Sequence, residues 1–284
     1  MNLKKIAVTL ASVMLLSTGV QAKEQRLVAI GGSITEVICA LGHCQDIVAA
    51  DATSVYPSDL LERVPNLGYY RQLSAEGVVK QKADRIFMID SAGPIKEVEK
   101  LKSLGIPIET LSSKKTVEAA EDRILKLGAK LNKADQAREL IKQMKSDLSR
   151  AKVKAKTIRP GVKILFIYSR GRDRMMVAGR DTGPDEMFRI LGLKNAFPGK
   201  GFKPVSGEAI MKLNPDVIVF PENSKEKMTV QEIQQMIPGI KYTAAAKQKR
   251  ILFIDDLKFL GFTHRLGEAA LDLIRGLESL QWRS

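Results

Sequence analysis

Histidine, cysteine and aromatic residues are scarce in this chain of 284 residues. It has two histidines (His43 and His264), two cysteines (Cys39 and Cys44) and 5% aromatic residues. A zinc site built from several histidines is therefore practically excluded. The two cysteines lie five positions apart across Gly42, and in an oxidising compartment they could close the end of a helix with a disulfide. The sequence alone leaves the bridged and the free forms equally open.

Long apolar runs are also lacking, apart from one at the N-terminus. Lys4 and Lys5 precede an apolar stretch over 6–16 that is too short to span a bilayer, and Val20-Gln21-Ala22 resembles a signal-peptidase site. We therefore predict a signal peptide over 1–22, cleaved after Ala22. No cysteine lies at this site, so we expect a freely soluble periplasmic protein rather than a lipoprotein.

The chain is strongly basic, yet no motif typical of nucleic-acid binding is present. The formal charge is +14, and it falls to +12 when the predicted leader removes Lys4 and Lys5. Most of the remaining lysines lie on predicted helices, where a solvated face is the ordinary explanation. The charge therefore favours a small anionic ligand over nucleic acid or an anionic membrane.

Strand and helix patterns alternate along the predicted mature chain. Apolar runs at 27–30, 47–50, 85–89, 162–168 and 216–220 predict buried strands, and amphipathic segments follow most of them. This alternation predicts an α/β fold of two similar lobes with parallel sheets flanked by helices and a ligand cleft between the lobes. The predicted boundaries are 23–131 for the N-terminal lobe, 132–158 for one long rigid connecting helix, and 159–284 for the C-terminal lobe.

The two halves also resemble each other in sequence. Segments 73–90 and 205–222 align without gaps and share five identities (Ser74 with Ser206, Glu76 with Glu208, Lys80 with Lys212, Asp84 with Asp216, Ile86 with Ile218). Their apolar positions match as well. The repeat supports two lobes of similar construction.

Motifs of the common enzyme classes are absent or incomplete. Asp181-Thr182-Gly183 spells the aspartic-protease triplet, but a second copy is missing and the triplet leads into a predicted helix. Gly31-Gly32-Ser33 fits neither the Walker nor the dinucleotide pattern, and Ser33 with Glu36 has the spacing of a capping box. We therefore predict a binding protein and not an enzyme.

The stretch GYYRQLSAEG at 68–77 concentrates two of the five tyrosines beside an arginine. It lies in about 18 residues that the second half lacks, which predicts a loop at the ligand-facing edge of the first lobe. The guanidinium of Arg71 would favour the phenolate of Tyr69, and a phenolate is a ligand suited to ferric iron, including that of haem. A pair of surface tyrosines packed on the lobe is the alternative explanation.

Several segments together resemble a known family. GGSITEVICALG, GYYRQLSAEG and KADRIFMIDSAGP, followed by VAGRDTGPDEMFRILG and LGFTHRLGEAALDL, are similar to periplasmic haem-binding proteins of bacterial ABC importers. These belong to a wider group that also binds siderophores and cobalamin. The resemblance extends over the whole mature chain, and its most specific motif is Gly-Tyr-x-Arg-x-Leu before Ala-Glu-Gly.

The resemblance implies roles for individual residues around a haem b cargo. Tyr69 would be the axial ligand of the haem iron, Arg71 would hydrogen-bond its oxygen, and Tyr70 would form part of the wall. Arg170 could meet a propionate or be a solvated loop residue. Some members use a histidine after the strand at 162–168, and none occurs here, so we expect five-coordinate iron. Tyr168, Met175 and Met176 are weak candidates for the other face, and His264 is expected to be structural.

The resemblance also implies partners. Members of the group present one surface glutamate per lobe to the two subunits of an inner-membrane ABC permease, and Glu76 and Glu208 occupy equivalent positions in the repeat. Two ordinary acidic residues at helix starts are the alternative. An outer-membrane haem receptor upstream and a monomeric state are further expectations. A ferric siderophore or cobalamin remains the alternative cargo.

Overall fold

The computed structural model describes residues 25–169, 175–222, 230–280 and 282. The predicted signal peptide over 1–22 and Arg170 therefore lie outside the described residues. Within those ranges the chain forms two α/β lobes joined by one long helix. No helix there combines the length and the apolar character that crossing a membrane requires.

The first lobe is built on a sheet of four parallel strands in the order β2-β1-β3-β4. The strands are β1 (Leu27–Ile30), β2 (Ile47–Ala50), β3 (Arg85–Ile89) and β4 (Ile108–Leu111). The helices are α1 (Gly32–Ala40), α2 (Leu60–Arg63), α3 (Ala75–Val79), α4 (Ile95–Ser103) and α5 (Val117–Lys130). All four residues of β1 are buried, as expected for a strand inside a parallel sheet that is covered on both faces.

The connecting segment is the helix α6 (Ala134–Ala155), which has 22 residues and a length of about 33 Å. Its buried residues recur every three or four positions and form one apolar face, whereas most of the remaining side chains are exposed. That face packs on α5 of the first lobe and on the last helix of the second lobe, α12 (Leu266–Ser279).

The second lobe has a mixed sheet with the strand order β10-β9-β5-β6-β8, and a short strand β7 pairs with β5. The strands are β5 (Lys163–Ser169), β6 (Met175–Ala178), β7 (Lys194–Asn195), β8 (Phe202–Pro204), β9 (Val217–Pro221) and β10 (Ile251–Ile254). The other helices are α7 (Gly183–Leu191), α8 (Gly207–Leu213), α9 (Val230–Met236), α10 (Ala244–Lys247) and α11 (Asp256–Gly261).

The antiparallel part of this sheet is an addition to the parallel arrangement that the strand–helix alternation predicts. Strands β7, β9 and β10 form parallel pairs, whereas β6 runs antiparallel to both β5 and β8. Five residues separate β5 from β6. A parallel crossover needs a dozen residues or more, and a connection of this length therefore requires an antiparallel pair.

The internal repeat has a structural counterpart at both of its ends. Ser74 and Ser206 each cap the helix that follows, and their side chains accept hydrogen bonds from the amides of Gly77 and Ala209. The carboxylates of Asp84 and Asp216 accept from the amides of Arg26 and Lys163, at the start of the first strand of each lobe, at 3.0 and 2.9 Å. Equivalent residues thus perform the same local role in the two lobes.

One apolar core extends through both lobes and α6. It includes Phe87 of β3, Met144 of α6 and Phe166 of β5, all of which are buried. Separate smaller clusters lie on the opposite face of each sheet. Because the lobes share a packed core, large independent rotations of one lobe against the other would open cavities and are disfavoured.

Two local predictions around α1 have different outcomes. Cys39 and Cys44 form a disulfide, which decides between the two forms that the sequence left open. The predicted capping box is wrong, because α1 begins at Gly32 and its N-cap, Gly31, makes no side-chain cap bond. Glu36 is instead fully buried and pairs with a residue of the second lobe, described below.

Candidate functional site

A cleft of about 750 Å³ lies between the lobes at the carboxyl ends of their strands. Its walls come from segments that directly follow strands, such as Thr53 after β2, Lys115 after β4 and Leu257 after β10. The carboxyl edge of an open α/β sheet is where such folds bind ligands, and the volume lies within the range of small-molecule and cofactor sites. The predicted location of the ligand cleft agrees with this arrangement.

The segment that carries Tyr69 is held between the ends of two strands. On one side the amide of Ala52, after β2, donates to the carbonyl of Gly68 at 2.8 Å. On the other side Gly93, after β3, donates to the carbonyl of Tyr70 at 2.9 Å and accepts from Leu73 at 2.8 Å. Gly68 has a φ of +78°, a conformation that favours glycine, so the chain turns there immediately before the tyrosine.

Tyr69, Tyr70 and Arg71 all line the cleft. The two tyrosine rings are tilted by 57°, with centroids 4.6 Å apart, and both residues are half-buried. The guanidinium carbon of Arg71 lies 5.5 Å from the centroid of the Tyr70 ring, within the range of a cation–π contact. The three residues thus form one contiguous aromatic and cationic wall of the first lobe.

The second lobe contributes an aromatic and thioether surface. Tyr168 and Phe202 have ring centroids 5.9 Å apart, and both line the cleft together with Met176. Met175, the neighbour of Met176 on β6, packs against the separate core of the second lobe. Of the three weak candidates for the far face of the cargo, Tyr168 and Met176 therefore line the cleft and Met175 does not.

The glycine turn before α1 is occupied by side chains of the same lobe. Asp51, which is buried after β2, accepts from the amide of Gly31 at 2.7 Å, and the hydroxyl of Thr53 accepts from the amide of Gly32 at 2.8 Å. A Cβ atom at Gly32 would lie 2.1 Å from the carbonyl oxygen of Thr53, so close approach requires glycine there. These amides support the fold of the turn and are not available as an anion cradle.

The Asp181-Thr182-Gly183 triplet is a helix start. The hydroxyl of Thr182 accepts from the amide of Asp185 and donates to the carbonyl of Gly179 at 2.7 Å, while Asp181 forms an ion pair with Lys200 at 3.1 Å. The triplet lines the cleft, but the side chains of Asp181 and Thr182 both have structural partners. This arrangement agrees with the prediction that it has no protease function.

Two cations that were not predicted from the sequence as site residues lie at the floor of the cleft and beneath it. Arg123 is buried and donates to the carbonyl oxygens of Ser112, Lys114 and Phe262. Lys115 lines the cleft, and its Nζ donates to the carbonyl oxygen of Gly261 across the lobe boundary at 3.3 Å. Burial, with the nearby charge of Arg123, lowers the pKa of Lys115 to about 8.

A buried ion pair also joins the two lobes. The guanidinium of Arg265 donates to both carboxylate oxygens of Glu36, at 2.9 and 2.6 Å, and the hydroxyl of Thr263 donates to the same carboxylate. The guanidinium carbon of Arg265 lies 3.8 Å from the centroid of the Tyr56 ring, within the range of a cation–π contact. His264 lies beside this pair, and burial lowers its pKa, so that the neutral ring is favoured.

Glu76 and Glu208 lie in the first turns of α3 and α8, and both are exposed. Glu76 forms an ion pair with Lys80 at 2.8 Å, and this hydrogen bond lowers the pKa of the carboxylate. No ion pair of Glu208 with the equivalent Lys212 occurs in the described part of the chain. Neither glutamate lines the cleft, as a surface docking role would require.

Comparison with known proteins identifies the family. The family model described as periplasmic binding protein matches residues 27–257, which is most of the chain. The chain belongs to the periplasmic binding protein family. Its members are substrate-binding proteins of transport systems and not enzymes, in agreement with the prediction made from the sequence.

Two solved structures of periplasmic haem-binding proteins are similar to this periplasmic binding protein. RhuT from Roseiflexus sp. RS-1, in its apo form, is 31% identical with a TM-score of 0.83, over 89% of this chain and 98% of that one. A periplasmic haem-binding protein from Pseudomonas aeruginosa is also 31% identical, with a TM-score of 0.82, over 92% of this chain and 95% of that one. The two-lobe fold of the family is thereby shown.

Curated relatives point to ABC transport and include a different cargo. An uncharacterised ABC transporter substrate-binding lipoprotein of Bacillus subtilis is 29% identical over 73% of this chain and 67% of the relative. The vitamin B12-binding protein of Vibrio parahaemolyticus is 24% identical over 68% of this chain and 70% of the relative. This chain is thus a binding protein of the siderophore, vitamin B12 and haem type.

Proposed function

We propose that this protein binds ferric haem in the cleft between its lobes and delivers it to an inner-membrane ABC permease. The observation that carries the proposal is the position of Tyr69, which lines the cleft on a segment held by backbone hydrogen bonds. The two haem-binding proteins described above, at 31% identity over about nine-tenths of this chain, support the same cargo.

Tyr69 is the proposed axial ligand of the haem iron. A phenolate oxygen is a hard, anionic donor, and tyrosine is among the protein ligands of haem iron. Arg71, two residues on, is the proposed hydrogen-bond donor to this oxygen. Tyr70, whose ring contacts both neighbours, is proposed as a wall against the porphyrin.

The rest of the cleft suits a large, flat and mainly apolar cargo. Phe202, Met176 and Leu260 offer apolar contacts from the second lobe. Arg170 remains a proposed partner of a propionate, although it lies outside the described residues. We propose five-coordinate iron, because the sequence directly after β5, over 170–174, contains no histidine.

Delivery to the permease is proposed to use Glu76 and Glu208. The two carboxylates lie at equivalent positions of the two lobes and are exposed, so a partner of two similar subunits could contact both at once. Exposed charges of this kind contribute mainly to orientation and to the rate of encounter. Similarity to an ABC transporter lipoprotein supports a permease partner.

We also propose that the protein is exported, with its signal peptide removed after Ala22, and acts in the periplasm as a monomer. An outer-membrane haem receptor upstream is part of the same proposal. These statements rest on the N-terminal sequence pattern and on the family resemblance.

Vitamin B12 is the second candidate cargo, because vitamin B12-binding proteins are among the curated relatives. Under this alternative Tyr69 would be a wall residue that contacts the cargo without binding a metal. A ferric siderophore has the same consequence for Tyr69.

Parallel binding measurements distinguish these cargoes. Mature wild-type protein, Tyr69→Phe and the control Tyr242→Phe, which alters an exposed tyrosine outside the cleft, would be titrated separately with hemin and cyanocobalamin. We expect saturable hemin binding by the wild type and the control, much weaker binding by Tyr69→Phe, and no cyanocobalamin binding. Cyanocobalamin binding that survives in Tyr69→Phe, without hemin binding, would assign the chain to vitamin B12.

A further inference from the structure

We propose that Lys115 is an anion-binding residue at the floor of the cleft and that it binds a carboxylate of the cargo. This inference rests on the proposed haem function, because it concerns how the same cleft holds its ligand. Haem carries two propionate carboxylates. Lys115 lies on the segment between β4 and α5, at the carboxyl edge of the first sheet, and lines the cleft.

The contacts of Lys115 leave it able to bind a further acceptor. Its ammonium group has three protons to donate, and the one hydrogen bond of Nζ in the described part of the chain goes to the carbonyl oxygen of Gly261 at 3.3 Å. No carboxylate of the described residues lies within 4.0 Å of Nζ. Because Gly261 also lines the cleft, this bond holds the ammonium at the ligand space.

The charge nearest to Lys115 is also positive, and neither cation has a carboxylate partner at short range in the part of the chain that the structure describes. Arg123 lies beneath the same floor and donates to three carbonyl oxygens, again without a carboxylate within 4.0 Å in the described ranges. Carbonyl dipoles stabilise a cation less well than a full negative charge does. A ligand carboxylate at Lys115 would therefore gain a charge-assisted hydrogen bond and would relieve the repulsion between the two cations.

Several other lysines in the described ranges differ from Lys115 in this respect. Lys80, Lys100 and Lys258, for example, form ion pairs with carboxylates of their own lobe. Lys114, the neighbour of Lys115, is exposed and does not line the cleft. Lys115 is thus half-buried, lines the cleft and has no acidic partner among the described residues, a combination that a solvated surface lysine lacks.

The test compares the binding of hemin with the binding of its dimethyl ester. The ratio of the two affinities isolates the contribution of the ligand carboxylates. Wild-type protein, Lys115→Met and the control Lys114→Met would each be titrated with hemin and with hemin dimethyl ester, in which both carboxylates are neutral. The wild type and Lys114→Met are expected to bind hemin more tightly than the ester. In Lys115→Met this ratio should fall by about tenfold, the size of one charge-assisted hydrogen bond.

This ratio separates a binding role from a structural one. If Lys115 only supported the loop at Gly261, its replacement would weaken the binding of both ligands equally and leave the ratio unchanged, which would overturn the inference. Failure of the wild type to bind either ligand would instead overturn the proposed haem function and this inference with it. The absorption spectrum of bound hemin should be the same in wild type and Lys115→Met, because the iron ligand is elsewhere.

Discussion

Replacement of Lys115 by methionine should make the ligand-free protein more stable at neutral pH. Burial and the charge of Arg123 lower the pKa of Lys115 from its ordinary value of 10.5 to about 8. At 1.36 kcal/mol for each pH unit, holding this lysine charged in the folded state costs about 3 kcal/mol. Methionine keeps most of the apolar stem but loses the hydrogen bond to Gly261, at about 1 kcal/mol. The expected net gain in the free energy of unfolding is about 2 kcal/mol at pH 7.

The sign of the pH dependence follows from the two pKa values. Between pH 8 and 10.5 the unfolded wild-type chain binds more protons at Lys115 than the folded protein does, so wild-type stability rises with pH in this window. Below pH 8 the lysine is charged in both states and its full cost is present. The advantage of Lys115→Met should therefore shrink by about 2 kcal/mol between pH 7 and pH 9.5.

Urea unfolding followed by circular dichroism at pH 7 and pH 9.5 would measure this effect. Lys114→Met serves as the control, because Lys114 is exposed and should change stability little at either pH. A variant less stable than the wild type at pH 7, or a difference that does not depend on pH, would refute the reasoning. Such a result would mean that water reaches the Lys115 ammonium freely in the folded protein.

Two further predictions concern the lobe boundary and the docking glutamates. Glu36→Ala should lower the free energy of unfolding by about 3 to 5 kcal/mol, because the charge of Arg265 loses its buried partner. Urea unfolding would measure this loss, and a loss below about 1 kcal/mol would contradict the prediction. The double variant Glu76→Lys, Glu208→Lys should bind hemin normally but fail to restore haem uptake in cells that lack the protein. The control Glu139→Lys, which changes an exposed residue of α6, should restore uptake. Normal uptake with the double variant would argue against docking through these residues.

Much of the architecture was predictable because it depends on local pattern. The strands of the first sheet are short apolar runs, and α6 has the three- and four-residue spacing that places its apolar side chains on one face. The repeat also predicted equivalent residues, since Ser74 and Ser206 cap their helices in the same way. These features depend on residues that lie only a few positions apart, so they can be predicted from a single sequence.

The contacts across the lobe boundary were not predictable in the same way. Glu36 has the spacing of a capping box with Ser33, but it pairs with Arg265, 229 residues away. Lys115 looks in the sequence like any lysine before a helix, and its burial and its contact with Gly261 exist only once both lobes are in place. The antiparallel strand β6 was missed for a different reason, because the strand order of a sheet is not encoded in its apolar runs.

The absorption spectrum of ferric hemin bound to the mature protein tests the central claim most directly. Wild-type protein should bind hemin with the charge-transfer band of a ferric phenolate complex, and Tyr69→Phe should lack this band, because the phenylalanine ring offers no oxygen to the iron. The control Tyr242→Phe should retain it, because Tyr242 lies outside the cleft. A wild-type spectrum without this band, or one that survives unchanged in Tyr69→Phe, would contradict the account and move the iron ligand to another residue.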